Sequence, residues 1–157
     1  MIHHPLLRGA VLAAALTASA PALAQPSACA TPHLPGTVRL DLSATQIRSG
    51  NGEVAFTLYP DDRRRFLAKG GKLARARVPA HAGVTEACFW VRPGYYAATI
   101  YHDEDGDRKF DRILFMPKEG AGASNDPPGT LLPKFETVRF AVPAAGRSMP
   151  IRMRYPR

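Results

Sequence analysis

Four aspartates, Asp103, Asp105, Asp107 and Asp111, stand at relative positions 1, 3, 5 and 9 of one short stretch, with Gly106 between the second and third. Glu104 adds a further carboxylate. So many acids in nine residues repel one another unless they are solvated or share a cation. Alternate spacing through a tight turn lets oxygens at positions 1, 3 and 5 converge, which is how hard oxygen ligands collect around calcium. The carbonyl of Lys109 falls at position 7, a backbone-ligand position in such loops. The helix-loop-helix pattern is excluded, because Leu114 stands where it needs a bidentate Glu and Gly106 comes two positions early. The expectation is a looser calcium loop between strands, with Asp103, Asp105, Asp107 and Asp111 as ligands and Glu119 as a candidate further ligand. The alternative is an acidic turn whose Asp and Gly residues serve turn geometry and solubility.

A second chemistry is conceivable in the same stretch. His102 beside Asp103, with Glu119 and Ser124 downstream, is a candidate set for a small hydrolase. Ser124 lies in Gly-Ala-Ser-Asn-Asp, which is not the Gly-x-Ser-x-Gly elbow of a serine nucleophile. A lone His at a strand end is more often structural. Gly120, Gly122, Ser124 and Asn125 read as a loop, either mobile or shaped as a backbone anion nest. The reading favoured here is non-enzymatic.

These residues need elements to position them. Val38, Leu40 and Leu42 alternate with Arg39 and Asp41, a half-buried strand. Arg48 to Gly52 is turn chemistry, and Val54, Phe56 and Leu58 mark the next strand. Residues 61–72 hold Phe66-Leu67, enough to anchor one helical turn, with Gly70-Gly71 to stop it. Strands are expected over 73–78, 84–91 and 95–102, the last two joined at Arg92-Pro93-Gly94 with Gly94 suited to a type II turn. Residues 135–142 alternate again, with Val138, Phe140 and Val142 on the apolar face. Met149, Ile151, Met153 and Tyr155 point inward from a last strand, with Arg152 and Arg154 outward. Short strands punctuated by Gly and Pro, with little helix, imply an all-β fold: one antiparallel β-sandwich of about seven strands. A carrier of a small apolar ligand between the sheets is a further reading of such a fold.

The first 24 residues are expected to be a cleaved signal peptide. Arg8 lies in a short basic region, VLAAALTASA (11–20) is apolar, and Ala22-Leu23-Ala24 ends in a small-residue cleavage signal. The apolar run is too short to span a bilayer, and the mature chain is expected to have no transmembrane segment. Residues 25–36 read as an arm, and 37–157 as the domain, with a long connection over 102–134. The chain is therefore expected to be periplasmic or extracellular. An even cysteine count then favours a Cys29–Cys88 disulfide over two free thiols. The whole sequence carries a formal net charge of +8. Its basic residues are scattered, apart from the one tight run Arg63-Arg64-Arg65 directly after Asp61-Asp62, and are not interleaved with aromatics, which argues against nucleic acid and leaves an anionic cell-envelope surface as a partner.

One resemblance rests on these same residues. Gly94-Tyr95-Tyr96-Ala97, then Tyr101-His102-Asp103-Glu104-Asp105-Gly106-Asp107-x-Lys109-Phe110-Asp111, then Pro117-Lys118-Glu119-Gly120-x-Gly122-x-Ser124-Asn125, resembles the secreted bacterial family DUF2141. Its pattern runs Gly-x-Tyr, His-Asp-Glu-Asn-x-Asn-Gly-Lys-x-Asp, and Gly-x-Pro-x-Glu-Gly-x-Gly-x-Ser-Asn. Asp105 and Asp107 replace its usual Asn, Gly106 precedes Asp107 where the family glycine follows, and Met116 departs from its usual residue. The resemblance implies a signal peptide followed by an immunoglobulin-like or transthyretin-like sandwich, and no activity to carry over.

Overall fold

The computed structural model describes residues 28–109, 119–127 and 133–156, with the backbone of two short strands between them. The leader at 1–24 lies outside the described residues. In chain order the elements are β1 (Val38–Ile47), β2 (Glu53–Pro60), β3 (Ala74–Pro79), β4 (Gly83–Val91), β5 (Gly94–Asp103), β6 (Arg112–Ile113), β7 (Met116–Pro117), β8 (Gly120–Ala123), α1 (Phe135–Val138), β9 (Phe140–Val142) and β10 (Arg147–Arg152). Among the described residues the chain is all-β apart from one helical turn.

Two sheets carry the structure. One has the order β10-β1-β4, and the other β3-β2-β5-β8, with β9 pairing the opposite end of β5. Pairing is antiparallel except between β1 and β10. The apolar alternation of β1 turns Leu40, Leu42 and Ala44 inward, where they meet Val54, Phe56 and Leu58 of β2 and Ile100 of β5. Phe89, Phe140, Met149 and Ile151 complete that core. Burial of this apolar surface is the main stabilising contribution.

The larger sheet is also covered on its outer face. Tyr59, Ala97, Ala123, Phe135 and Val138 form a second cluster, against which Phe66 packs. This explains why β2 is buried on both faces, including Ala55 and Thr57.

The strand, turn and strand expected from Val38 to Leu58 are present as β1 and β2, and the turn between them passes the chain from one sheet to the other. Other sequence expectations are corrected. β4 and β5 likewise belong to different sheets, and Gly94 is extended backbone at the start of β5, not a type II turn residue. The run 135–142 is not one strand. Phe135 and Val138, three apart, close a helical turn before β9 begins. The segment expected to be a connection over 102–134 contains β8, whose glycines let other parts approach. A Cβ at Gly122 would lie 2.2 Å from the Arg152 carbonyl oxygen, and one at Gly120 would meet the Tyr155 ring at 2.4 Å. Gly120 to Ala123 is thus a strand, not a mobile loop or an anion nest. Residues 61–72 form successive turns, with Phe66 N–H donating to the Asp62 carbonyl at 3.2 Å.

The arm is held as expected, by a Cys29–Cys88 disulfide. It covers the side of β4 turned away from β1. Ala30 N–H donates to the Cys88 carbonyl at 2.8 Å. Thr31 Oγ1 donates to the Trp90 carbonyl at 2.8 Å and accepts from Trp90 N–H at 2.6 Å. His33 packs on the Trp90 ring with centroids 4.2 Å apart. An edge strand that would otherwise offer unpaired backbone groups is thereby closed.

Candidate functional site: an acidic cluster at the end of β5

Alternation along β5 sends its last residues to opposite faces. His102 turns toward the sandwich interior and Asp103 toward the outer face, beside Glu53, its register partner on β2. Asp103 is fully buried. Its Oδ2 accepts the Arg108 backbone N–H at 2.9 Å and the Arg77 guanidinium at 3.0 Å. Arg77 reaches in from β3, donates to the Arg108 carbonyl at 3.0 Å, and also donates to the Tyr101 hydroxyl. Glu53 Oε2 lies 3.6 Å from both Arg77 and Arg108. These contacts fix the carboxylate plane of Asp103 while using only one of its oxygens. Oδ1 is buried and has no hydrogen-bond partner among the described residues.

The turn that follows brings a second acid to the first. Gly106 and Arg108 both adopt positive φ, 73° and 63°. In Arg108 this is unusual for a side-chain-bearing residue, and it stands where the resembled pattern has glycine. Asp105 accepts the Asp107 N–H at 3.3 Å, and Asp107 accepts the Lys109 N–H at 2.7 Å. The third acid comes by sheet register. Gly120 pairs with His102, so buried Glu119, one residue earlier, arrives at the same end of β5. One carboxylate oxygen each from Asp103, Asp105 and Glu119 lie within 4.8 Å of one another.

This spacing fits a hard cation. Calcium–oxygen distances are about 2.3–2.6 Å, so two ligands on opposite sides of one ion stand about 4.8 Å apart. The donor set is all oxygen, which suits calcium, magnesium or manganese and not zinc or copper.

Of the expected ligands, Asp103 and Asp105 are brought together, and Glu119 joins them. Asp107 takes a different part: it caps its own turn and sits 3.8 Å from the Lys109 ammonium. Asp111 lies outside the described residues. Glu104 turns away as well. It pairs with Arg48 and accepts from Ser49 Oγ at 2.9 Å, and the Arg48 hydrogen bond holds its carboxyl below the usual carboxylate range. Glu53 and Arg77 have no sequence signal, because strand register alone places them, whereas Arg108 is placed by the local turn.

The hydrolase set is not assembled. His102 Nε2–H donates to the Asn51 carbonyl at 2.7 Å, and Nδ1 is hydrogen-bonded to the Tyr155 hydroxyl at 2.7 Å. Tyr155 in turn accepts the Arg48 N–H at 3.1 Å, and burial raises its pKa. Both imidazole nitrogens are therefore engaged in hydrogen bonds within the fold. Ser124 lies beside Ala98, four residues along β5 from His102, on the order of 13 Å at ~3.3 Å per residue. Its hydroxyl sits among the Val138 carbonyl at 2.5 Å, the Ala98 carbonyl at 3.2 Å and the Ala98 N–H at 3.0 Å. It is fully buried and ties α1 to β5. Ser124→Ala is expected to lower stability by about 1–3 kcal/mol, read in a urea melt, because it strands buried backbone groups. A variant as stable as the wild type would refute this structural role.

The family model described as an uncharacterized protein conserved in bacteria, DUF2141, matches residues 43–150. No curated protein and no solved structure matches the chain. Among the described residues, no helix is long and apolar enough to cross a membrane.

Proposed function

Since the chain belongs to the DUF2141 family, whose members share no assigned chemistry, we propose from its own residues that it is an exported, non-enzymatic β-sandwich module that binds calcium. The sandwich is read as immunoglobulin-like or transthyretin-like. The ligands are Asp103, Asp105 and Glu119 at the outer end of β5. The observation that carries this reading is the buried, unpartnered Oδ1 of Asp103 beside two further carboxylates. An orphaned carboxylate oxygen in a dry site is costly unless something positive completes it. Arg77 satisfies the other oxygen and is shared with Glu53, so the local charge stays negative. Export is supported by the Cys29–Cys88 bond, since disulfides persist in oxidising compartments.

Three protein carboxylates are fewer than the six to eight oxygens calcium takes, so water fills the remainder and the affinity is modest. The test is a thermal melt in calcium and in chelator. Calcium at a hundred times its Kd stabilises by about 2.7 kcal/mol. For a chain of this size that raises Tm by roughly 8 °C. Asp105 is exposed, so Asp105→Ala removes a ligand without opening the core. Its melt is expected to be indifferent to calcium. Identical calcium shifts in both proteins would defeat the assignment of these residues.

A further inference from the structure

We propose that the loop joining β2 to β3, residues 61–73, is a docking element for an anionic lipid surface. It carries five cations, Arg63, Arg64, Arg65, Lys69 and Lys72, against two carboxylates, Asp61 and Asp62. Asp61 is taken by Arg139 from outside the loop, at 2.7 Å. Asp62 faces Arg64 at 3.7 Å, and Arg63 faces Glu136 at 3.4 Å. Arg65, Lys69 and Lys72 have no acidic partner among the described residues, and all three are exposed. Arg65 is held against Lys72, donating to its carbonyl at 3.4 Å. The Arg65 guanidinium is thereby held at the backbone of Lys72, within the same basic loop.

The same loop exposes leucines. Leu67 is 43% exposed and Leu73 is 48% exposed. A single exposed leucine is ordinary. Leu67 is not, because its φ is +57°, a conformation in which a bulky L-residue is strained. Such strain persists only where the surroundings over-determine it. They do so here. Phe66 is anchored inward against Tyr59 and Phe135, with ring centroids 5.1 and 5.9 Å away. Gly71 lies so close to the Arg65 carbonyl that a Cβ would stand 1.9 Å from it. The inward anchor and the tight closure hold Leu67 turned out, among cations. Cations that meet lipid phosphates and apolar side chains that enter the interface together are the components of peripheral membrane attachment. A soluble polyanion would use the cations but not the leucines.

The test is co-sedimentation of the protein with vesicles of phosphatidylcholine and phosphatidylglycerol in equal parts. Arg65→Gln/Lys69→Gln/Lys72→Gln is expected to weaken partitioning by about a hundredfold, at roughly fivefold per charge. Leu67→Gly, which relieves the backbone strain, is expected to weaken it about fivefold. Arg39→Gln/Arg92→Gln/Arg152→Gln makes the same change in net charge at exposed positions outside the loop and is expected to leave partitioning within about threefold. A loss in this comparator as large as in the loop variant would overturn the proposal, as would undiminished binding by Leu67→Gly. Heparin provides the remaining arm: it should detect the loop cations but not Leu67, and equal leucine sensitivity for heparin and vesicles would also overturn the lipid assignment.

Discussion

Replacing Cys29 and Cys88 together with alanine is expected to lower stability by about 4 kcal/mol. The bond closes a loop whose ends are 59 residues apart, and in the chain-entropy view a loop of that length restricts the unfolded state by about this much. For a chain of this size the loss lowers Tm by roughly 12 °C. The effect is not only entropic. The arm supplies the backbone groups of Cys88 and Trp90 with partners and lays His33 on Trp90. Once the arm is released, the edge of β4 is open to pairing with another chain. The double variant is therefore expected to lose stability and to become concentration-dependent in its melting. Measurement by urea titration at two protein concentrations checks both. A loss under 1 kcal/mol would show that the arm's hydrogen bonds hold it without the disulfide.

The second large effect is expected at Gly52. Its φ is +66°, and a Cβ there would lie 1.9 Å from the carbonyl oxygen of Asp103 and 2.9 Å from the Cα of Glu104. The obstacle is backbone, so no side-chain rotation relieves it. Either the turn between β1 and β2 moves or the end of β5 does. Gly52→Ala is expected to cost about 3 kcal/mol, from the overpacking and the unfavourable φ together. Because the displaced backbone carries Asp103, calcium affinity should fall as well, although no ligand has been removed. A variant that melts as the wild type does would mean that this end of the molecule yields easily, and the preset geometry of Asp103 would lose its support.

The strands were legible because burial imposes period two. Leu40 and Leu42 in β1, and Met149 and Ile151 in β10, alternate with polar residues and are buried as that alternation requires. The run 135–142 was misread because Phe135 and Val138 satisfy a helical spacing while Val138, Phe140 and Val142 satisfy a strand spacing. Only the contact with Tyr59 and Ala97 decides between them. The candidate site was half legible for a similar reason. Asp103 and Asp105 are joined by a local turn, and local spacing announces them. Glu119 arrives by the pairing of Gly120 with His102, a long-range register that no spacing rule contains. The glycines of β8 looked like loop residues because what excludes larger side chains there, Tyr155 and the Arg152 backbone, comes from the far end of the chain. The disulfide needed no register, since two cysteines allow one pairing.

Calcium binding itself is tested most directly by isothermal titration calorimetry of the chelator-treated protein, with Asp105→Asn as the matched variant. That change keeps the size of the side chain and removes its charge. The prediction is one site per chain with a Kd between about 10⁻⁵ and 10⁻³ M, as ligand number sets affinity, and a loss of at least tenfold in the variant. Wild-type protein that takes up no calcium at millimolar concentration, or that binds it equally well as Asp105→Asn, would contradict a calcium site at Asp103, Asp105 and Glu119.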